Sequence, residues 1–462
     1  MSSEAPDALA GVLTRAPAVP PGPRGNRFFG PLVRESRRDP LGFTTRVART
    51  YGDVCAFRVG LERVYLVSHP DYVREVFANH YGNFLKGGGR ARRFLGEGLL
   101  LSEGETHRQR RRLDQPAFHR QRLASYAAEM VAYGEHTSAR WRDGQVLDLW
   151  PEMLRLTLGV VGKTLFGADV DSEADEVGRA MRAAVSRYRA FRLPLARLLE
   201  SLPLARMMQY RRGKERLRRV VFKLIEERRR EGRDHGDLLS MLLLAEDAEE
   251  GGRRLTPEQV WDEAVTLFIA GYDTMATALM WTFYLLSEHP EVEARLHEEI
   301  ETVLGGGRPA TFEDFKRLTY TEQVLAEAMR IYPPVWRLVR RAVADFPLGE
   351  YVVPRGSLVI MSQYVMHRDP RFYPEPLRFD PERFAPEARA ARPPYSYFPF
   401  GGGPRRCLGE GFALTEGVML LATLARRWRL RLVPGHPVEP FPEHLLRAKH
   451  GMLMRLEARG RN

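Results

Sequence analysis

The dominant feature of the hydrophobic pattern is an almost unbroken apolar run at 264–286. It is wider than the one-sided stripe of a surface helix. Thr256, Pro257 and Gln259 precede it and match a capping box with proline in the first turn. Pro290 marks its end. Such a run is long enough to cross a bilayer. Asp273, Gly271 and several threonines interrupt it, and an intramembrane carboxylate is expensive. The pattern therefore predicts a buried helix through the middle of a large domain. Helical periodicity extends from about 105 to about 426, broken by prolines. Within it lie a helix at 315–331, stopped by Pro333 and Pro334, and another from 408 to about 424. Strand-like runs are few: 51–60 and 63–67, joined by a turn at Gly60, Leu61 and Glu62, and a patch around 351–361. A short helix is expected at 71–79 and a glycine- and arginine-rich loop at 86–98. The five residues at 193–197 recur at 202–206 as an apolar, basic connector, which is too little for a repeat architecture. The expected fold class is mainly α with small β-sheets. Residues 1–30 read as a flexible tail and 31–462 as a single domain.

Composition changes this picture little. The chain has 462 residues, 44% of them hydrophobic, enough for a large core. A formal net charge of +12 suits acidic partners, nucleic acid or anionic membrane. Yet only six of the 71 basic residues are lysine, a skew expected of an arginine-favouring genome. Local clusters therefore count for more than the total, and no nucleic-acid partner is expected. The first 25 residues lack the long apolar core of a secretory signal. Two cysteines, Cys55 and Cys407, make no disulfide framework and fit a reducing compartment. The expected location is cytoplasmic, with no transmembrane segment.

Chemistry concentrates around Cys407. Gly401, Gly402 and Gly403 let the backbone turn and approach a flat ligand. The helix that follows, with Arg405 and Arg406, favours a thiolate at Cys407. Phe400, Gly403, Arg405, Cys407 and Gly409 complete the pattern Phe-x-x-Gly-x-Arg-x-Cys-x-Gly. In the long helix, Ala270, Gly271, Tyr272, Asp273 and Thr274 place an acid beside a hydroxyl. One reading is a kink with Thr274 bonded to a carbonyl one turn earlier. The other is a groove for a small ligand with a proton relay. Glu327 and Arg330 share a helix face, and an exposed pair of that kind contributes only about 0–1 kcal/mol. His107 and Arg111 also share a face, in a basic helix opened by Gly104.

Taken together, and in this order along the chain, these motifs resemble the cytochrome P450 superfamily, over Pro40 to about Leu432. The resemblance implies one catalytic domain, with heme b held between the long central helix and the cysteine-loop helix. It implies Cys407 as the iron ligand, with Phe400, Gly401 and Gly271 at the cofactor. His107, Arg111, Arg340 and Arg405 are implied at the heme propionates; Arg341 beside Arg340 leaves that assignment open by one residue. Thr274 would lie beside the dioxygen, with Asp273 on the route of its protons. Glu327, Arg330 and Arg383 would form a buried structural network behind the heme. The implied activity is a heme-thiolate monooxygenase that hydroxylates or epoxidises a hydrophobic molecule, such as a terpenoid, carotenoid, fatty acid or polyketide. No flavin or iron–sulfur module follows Cys407, so electrons are expected from a ferredoxin or flavodoxin with its reductase. Arg108, Arg110, Arg112 and Arg406 are candidates for its docking patch.

A heme-thiolate peroxygenase, dehydratase or isomerase is the alternative, and intact Asp273 and Thr274 argue against it. A non-catalytic basic binding protein is a remote one. Candidate pocket segments are 84–100, 188–208, 267–274 and 335–339, with Phe268 and Trp336 prominent.

Overall fold

The computed structural model describes residues 19–24, 31–87, 96–167, 205–247, 253–305 and 307–460. Helices α1 (Pro31–Arg38) and α2 (Pro40–Tyr51) lead into a hairpin of β1 (Val54–Val59) and β2 (Glu62–Val67). The turn between the strands falls at Gly60, whose φ of 63° suits glycine. The helix expected at 71–79 splits into α3 (Pro70–Arg74) and a π-helical turn, Glu75–Asn79, before strand β3 (Phe84–Leu85). Next come α4 (Gly104–Asp114), α5 (Arg120–Arg140), β4 (Val146–Asp148), α6 (Leu149–Phe166), α7 (Ala205–Glu231) and α8 (Leu238–Leu244). A small ladder of β5 (Glu246–Asp247) and β6 (Arg253–Arg254) precedes α9 (Pro257–Glu288), α10 (Pro290–Leu304) and α11 (Thr319–Ile331). Strands β7 (Leu338–Ala342), β8 (Phe346–Leu348), β9 (Tyr351–Val353) and β10 (Leu358–Met361) follow, then α12 (Gln363–Met366) and α13 (Pro386–Ala391). The chain closes with α14 (Glu410–Arg427), β11 (Trp428–Leu432), β12 (Pro440–Pro442), β13 (Leu446–Ala448) and β14 (Leu453–Ala458).

The described residues form two compact units. One holds those up to Gly87 with Trp336–Pro376 and Arg392–Arg406. Its five-stranded sheet runs β1-β2-β10-β7-β3, with β2 and β10 parallel and every other pair antiparallel. Strand alternation puts Arg340 and Arg341 on opposite faces. Phe77, Phe84, Phe346, Val359 and Phe398 build a core on one side of this sheet, and Phe43, Val47 and Leu66 belong to a second cluster.

The other unit is built around α9, buried along most of its length as the apolar run predicts. The capping box forms: Gln259 N–H donates to Thr256 Oγ1 at 3.2 Å, and Thr256 N–H donates to Gln259 Oε1 at 2.9 Å. Two expected boundaries move. The helix expected from 315 begins at Thr319, because Phe312–Lys316 forms a separate 3₁₀ turn capped by Thr311 and Asp314. The helix expected from 408 begins at Glu410, after the 3₁₀ turn Gly403–Arg405. In this unit β11, β14 and β4 form an antiparallel sheet, and β12 and β13 form a hairpin that pairs Phe441 with Arg447. Trp281 Nε1 of α9 donates to the Leu446 carbonyl at 2.7 Å and ties that hairpin to the helix. The connector at 193–197 and the residues before 19 lie outside the described residues.

Candidate functional site

The glycine loop is built for backbone contact. Gly401 and Gly403 have φ of 71° and 64°. A Cβ at Gly403 would lie 1.7 Å from the Phe77 carbonyl oxygen, so no larger residue fits there. A Cβ at Gly402 would meet the Tyr395 ring at 2.4 Å. His367 Nε2 accepts the Phe398 N–H at 3.0 Å and fixes the strand of chain leading into the loop. Phe400 and Arg405 are half-buried. Arg340 is buried, with its guanidinium 5.2 Å from the Phe77 ring centroid. Arg341 instead pairs with Glu62 at 3.1 Å. The two arginines thus differ in burial and partner, with Arg340 inside the unit and Arg341 engaged at its surface.

Cys407 is exposed, whereas Cys55 is fully buried and its thiol is pushed up to about 12 by burial and the charge of Asp53. Only Cys407 therefore offers sulfur to a metal. Among the described residues no other cluster of metal-binding side chains occurs. Its helix, α14, packs on α9 and α11 through Gly417, where a Cβ would meet Leu325 at 2.4 Å and Met275 sulfur at 3.1 Å. His107 on α4 is buried and Arg111 is half-buried.

Midway along α9 the burial pattern breaks. Ala270 is exposed, and Ile269, Gly271 and Thr274 are half-buried, although 263–268 and 275–283 are buried. An open apolar face inside a buried helix is what a helix lining a ligand site presents. Thr274 Oγ1 donates to the Ala270 carbonyl at 2.9 Å, the back-bond of the structural reading, and its oxygen keeps its acceptor capacity. Gly271 also has a packing role. A Cβ there would lie 2.9 Å from Val161 Cγ2, and Thr157 Oγ1 donates to the neighbouring Tyr272 carbonyl at 2.8 Å. This glycine serves the close approach of α6 to α9.

Asp273 is buried, and its partners lie in a segment that sequence reasoning left unassigned. Its Oδ2 accepts from Arg447 at 2.6 Å and from His444 Nε2 at 2.9 Å. Burial pushes the carboxyl up, but the hydrogen bond from His444 and the charge of Arg447 outweigh it and hold Asp273 below the ordinary aspartate range. Glu327 and Arg330 are wholly buried, with two hydrogen bonds of 2.6 and 2.7 Å. Arg383 lies 3.5 Å from Glu327, whose Oε1 also accepts the Asp380 N–H. This is an interior network, not a surface pair. Arg110 requires a correction. It is buried and lies 3.4 Å from Glu263, so it does not belong to a surface docking patch. Phe268 and Trp336 are buried as pocket candidates should be; 88–95 and 188–204 lie outside the described residues.

These residues fit a heme. They supply one accessible sulfur, a loop that only glycine can form, an open face on α9, and buried or half-buried histidine and arginine side chains of the kind that hold carboxylates. The cytochrome P450 family model matches residues 20–455. The cyclooctat-9-en-7-ol 5-monooxygenase of Streptomyces melanosporofaciens is 41% identical over 86% of this chain and 86% of its own. The pentalenene oxygenase of Streptomyces avermitilis is 37% identical over 91% of this chain and 94% of its own. A solved structure, retinoic acid bound cyanobacterial CYP120A1, superposes with a TM-score of 0.86 at 26% identity, over 96% of this chain and 100% of its own. The chain thus belongs to the cytochrome P450 family, a heme b monooxygenase that inserts one oxygen atom of dioxygen into a hydrophobic substrate with electrons from a redox partner.

Proposed function

We propose that the substrate is a cyclic terpenoid. The observation that carries this reading is identity of 37–41%, over nearly the whole chain, to two bacterial oxygenases named for cyclooctat-9-en-7-ol and pentalenene. The apolar side chain of Phe268 on α9 agrees with a site that binds by area more than by hydrogen bonds. The working location is the cytoplasm, and the electron donor is a ferredoxin or flavodoxin.

When bound, the heme supplies the redox chemistry that cleaves dioxygen and delivers one atom to a C–H bond or alkene. Cys407 would hold its iron, as the one exposed thiol in a loop whose glycines admit a flat ring. Phe400 and Gly401 would face the ring, and His107, Arg111, Arg340 and Arg405 would hold its carboxylates through charge-assisted hydrogen bonds. Thr274 would position a proton at the open face of α9, and Asp273 would carry protons toward it. An apolar wall would exclude bulk water and make such a side-chain route necessary.

The test is a binding screen of cyclic terpenes, carotenoids and straight-chain fatty acids, read as a shift in the heme absorption band. Cyclic terpenes, pentalenene among them, should give the largest shifts at the lowest concentrations. A panel in which only fatty acids bind would overturn the substrate class. In the same preparation Cys407→Ala should abolish the red-shifted Soret band of the reduced carbon monoxide complex, and Cys55→Ala should keep it. The reverse pattern would overturn the ligand.

A further inference from the structure

The hairpin of β12 and β13 brings two basic side chains to the one acid in the middle of α9, across 171 and 174 residues of sequence. The contact is one-sided. Asp273 Oδ2 takes both donors, while Oδ1 is buried and accepts no hydrogen bond among the described residues. A buried carboxylate held only for structure would gain by pairing both oxygens. Here one oxygen faces the hairpin and the other is left for something else. The hairpin itself reaches solvent: the His444 side chain is 29% exposed, against 5% for Asp273. The groups facing His444 are Asp273 from α9, and Glu443 at 3.9 Å and Arg447 at 3.3 Å from the hairpin itself. Arg447 also reaches Glu443 at 3.7 Å and lies over the uncharged Trp150 of α6, 4.5 Å from its ring centroid. Trp281 and the Pro334 carbonyl, which accepts the Leu446 N–H at 2.8 Å, hold the hairpin in place.

We propose that this hairpin is the proton port of the enzyme, with His444 loading Asp273 from solvent and Arg447 latching the carboxylate between deliveries. The proposal rests on the reading of Asp273 and Thr274 as a relay. In the step itself His444 is an imidazolium. Its Nε2–H bond breaks, an O–H bond forms at Asp273 Oδ2, and a cation and an anion become a neutral imidazole and a neutral carboxyl. Solvent returns a proton to Nε2. The carboxyl then turns about its Cβ–Cγ bond, the Oδ2–H bond breaks as the proton passes to Thr274 Oγ1, Thr274 gives up its own hydroxyl proton at the open face of α9, and the anion is drawn back to Arg447. Arg447 disfavours the protonated carboxyl, so each delivery requires its contact with Oδ2 to loosen. His444 and Arg447 act through Asp273 and are positioning residues.

The test compares His444→Gln with His444→Phe. Glutamine keeps a hydrogen-bond donor for Oδ2 but cannot titrate. With pentalenene, or the cyclic terpene of the screen that shifts the heme band most, both variants should bind as wild type does. Both should release several-fold more peroxide per electron pair, and their product yield should no longer follow pH as that of wild type does. Full rescue by glutamine in yield and pH profile would reduce His444 to a structural donor and overturn the port. Thr274→Ala and Asp273→Asn separate the two claims. If they leave product per electron pair unchanged, the relay itself fails. If they lower it while His444→Gln does not, the relay stands and the port fails. A second readout needs no turnover. In the infrared spectrum the C=O stretch of a protonated carboxyl should appear at higher pH in Arg447→Leu than in wild type, and vanish in Arg447→Leu/Asp273→Asn. No difference between Arg447→Leu and wild type would remove Arg447 as the latch.

Discussion

Glu263 and Asp273 lie on the same helix and are both almost wholly buried, yet their carboxyls are shifted in opposite directions. Asp273 meets two cationic donors at one oxygen and stays below the ordinary aspartate range. Glu263 meets another acid. Its Oε2 accepts the Leu99 N–H at 2.9 Å and its Oε1 lies 3.4 Å from Arg110, with Asp114 of α4 as a further neighbour. Burial raises the Glu263 carboxyl above its usual range, against the pull of Leu99 and Arg110. Burial and the Glu263 charge raise Asp114 well above its own, and neither Asp114 oxygen finds a hydrogen-bond donor. Two acids so placed favour holding one proton between them, set against Arg110. Equal burial therefore does not decide ionisation; the partners do. Asp273 has two basic partners, one of them half-exposed, whereas the acid that anchors the chain at Leu99 shares its one cation with a second buried acid.

The largest expected effect breaks the Asp273 side. Arg447→Leu leaves a buried carboxylate with His444 alone and should cost about 3 kcal/mol of unfolding free energy at neutral pH. Adding Asp273→Leu should recover much of that loss, because an apolar pair replaces an ionic one. Denaturant titration of both variants measures this. Equal losses in the single and double variants would mean that the two residues are not coupled. The Glu263 side predicts the opposite pH behaviour. Its folded pKa is raised, so its contribution to stability is complete below the ordinary glutamate value and is lost as pH rises through the folded one. Asp273 is depressed, so its contribution is present above the ordinary aspartate value and is lost only in acid. Stability of wild type relative to Glu263→Gln should therefore fall as pH rises above the carboxylate range, by roughly 1.4 kcal/mol for each unit of the shift. Relative to Asp273→Asn it should be flat there. Parallel curves for wild type and Glu263→Gln would refute the shared proton.

The difference between these two sites also marks how far the sequence could be read. The capping box at Thr256 and Gln259, the acid and hydroxyl at Asp273 and Thr274, and the glycine loop before Cys407 are local patterns, and local chemistry forms them. Glu327, Arg330 and Arg383 were legible as a family motif, though spacing alone suggested a surface pair. The partners of Asp273 were not legible. Pro440 and Pro442 make β12 read as loop, and no spacing rule links His444 or Arg447 to a helix so distant in sequence. At Gly271 the packing against Val161 was not legible, because a glycine beside a candidate ligand site and a glycine under a packed valine look alike in one dimension. Arg110 misled for a similar reason. In a run of arginines on one helix, periodicity shows that some face inward, but not that a carboxyl pair waits there.

That run supplies the smallest effect and extends the comparison to cations. Arg108 is exposed and pairs with Glu105 on its own helix, Arg112 is exposed, and Arg110 between them is turned inward to Glu263. A surface arginine acts at a distance, through a field that salt screens; a buried one acts at contact, where screening is weak. If an acidic ferredoxin docks on α4, the Arg108→Glu/Arg112→Glu variant should accept its first electron several-fold more slowly at low salt, and its rate should depend less on ionic strength. Substrate affinity should not change. Arg406→Glu, on the exposed turn before Cys407, reads the contribution of the loop in the same assay. Arg110→Gln should do the reverse, leaving the salt dependence of electron transfer intact and altering the pH dependence of stability that Glu263 sets. Stopped-flow reduction across ionic strength, beside denaturant curves across pH, separates the two classes. Wild-type rates at every salt concentration in the α4 double variant would place docking elsewhere.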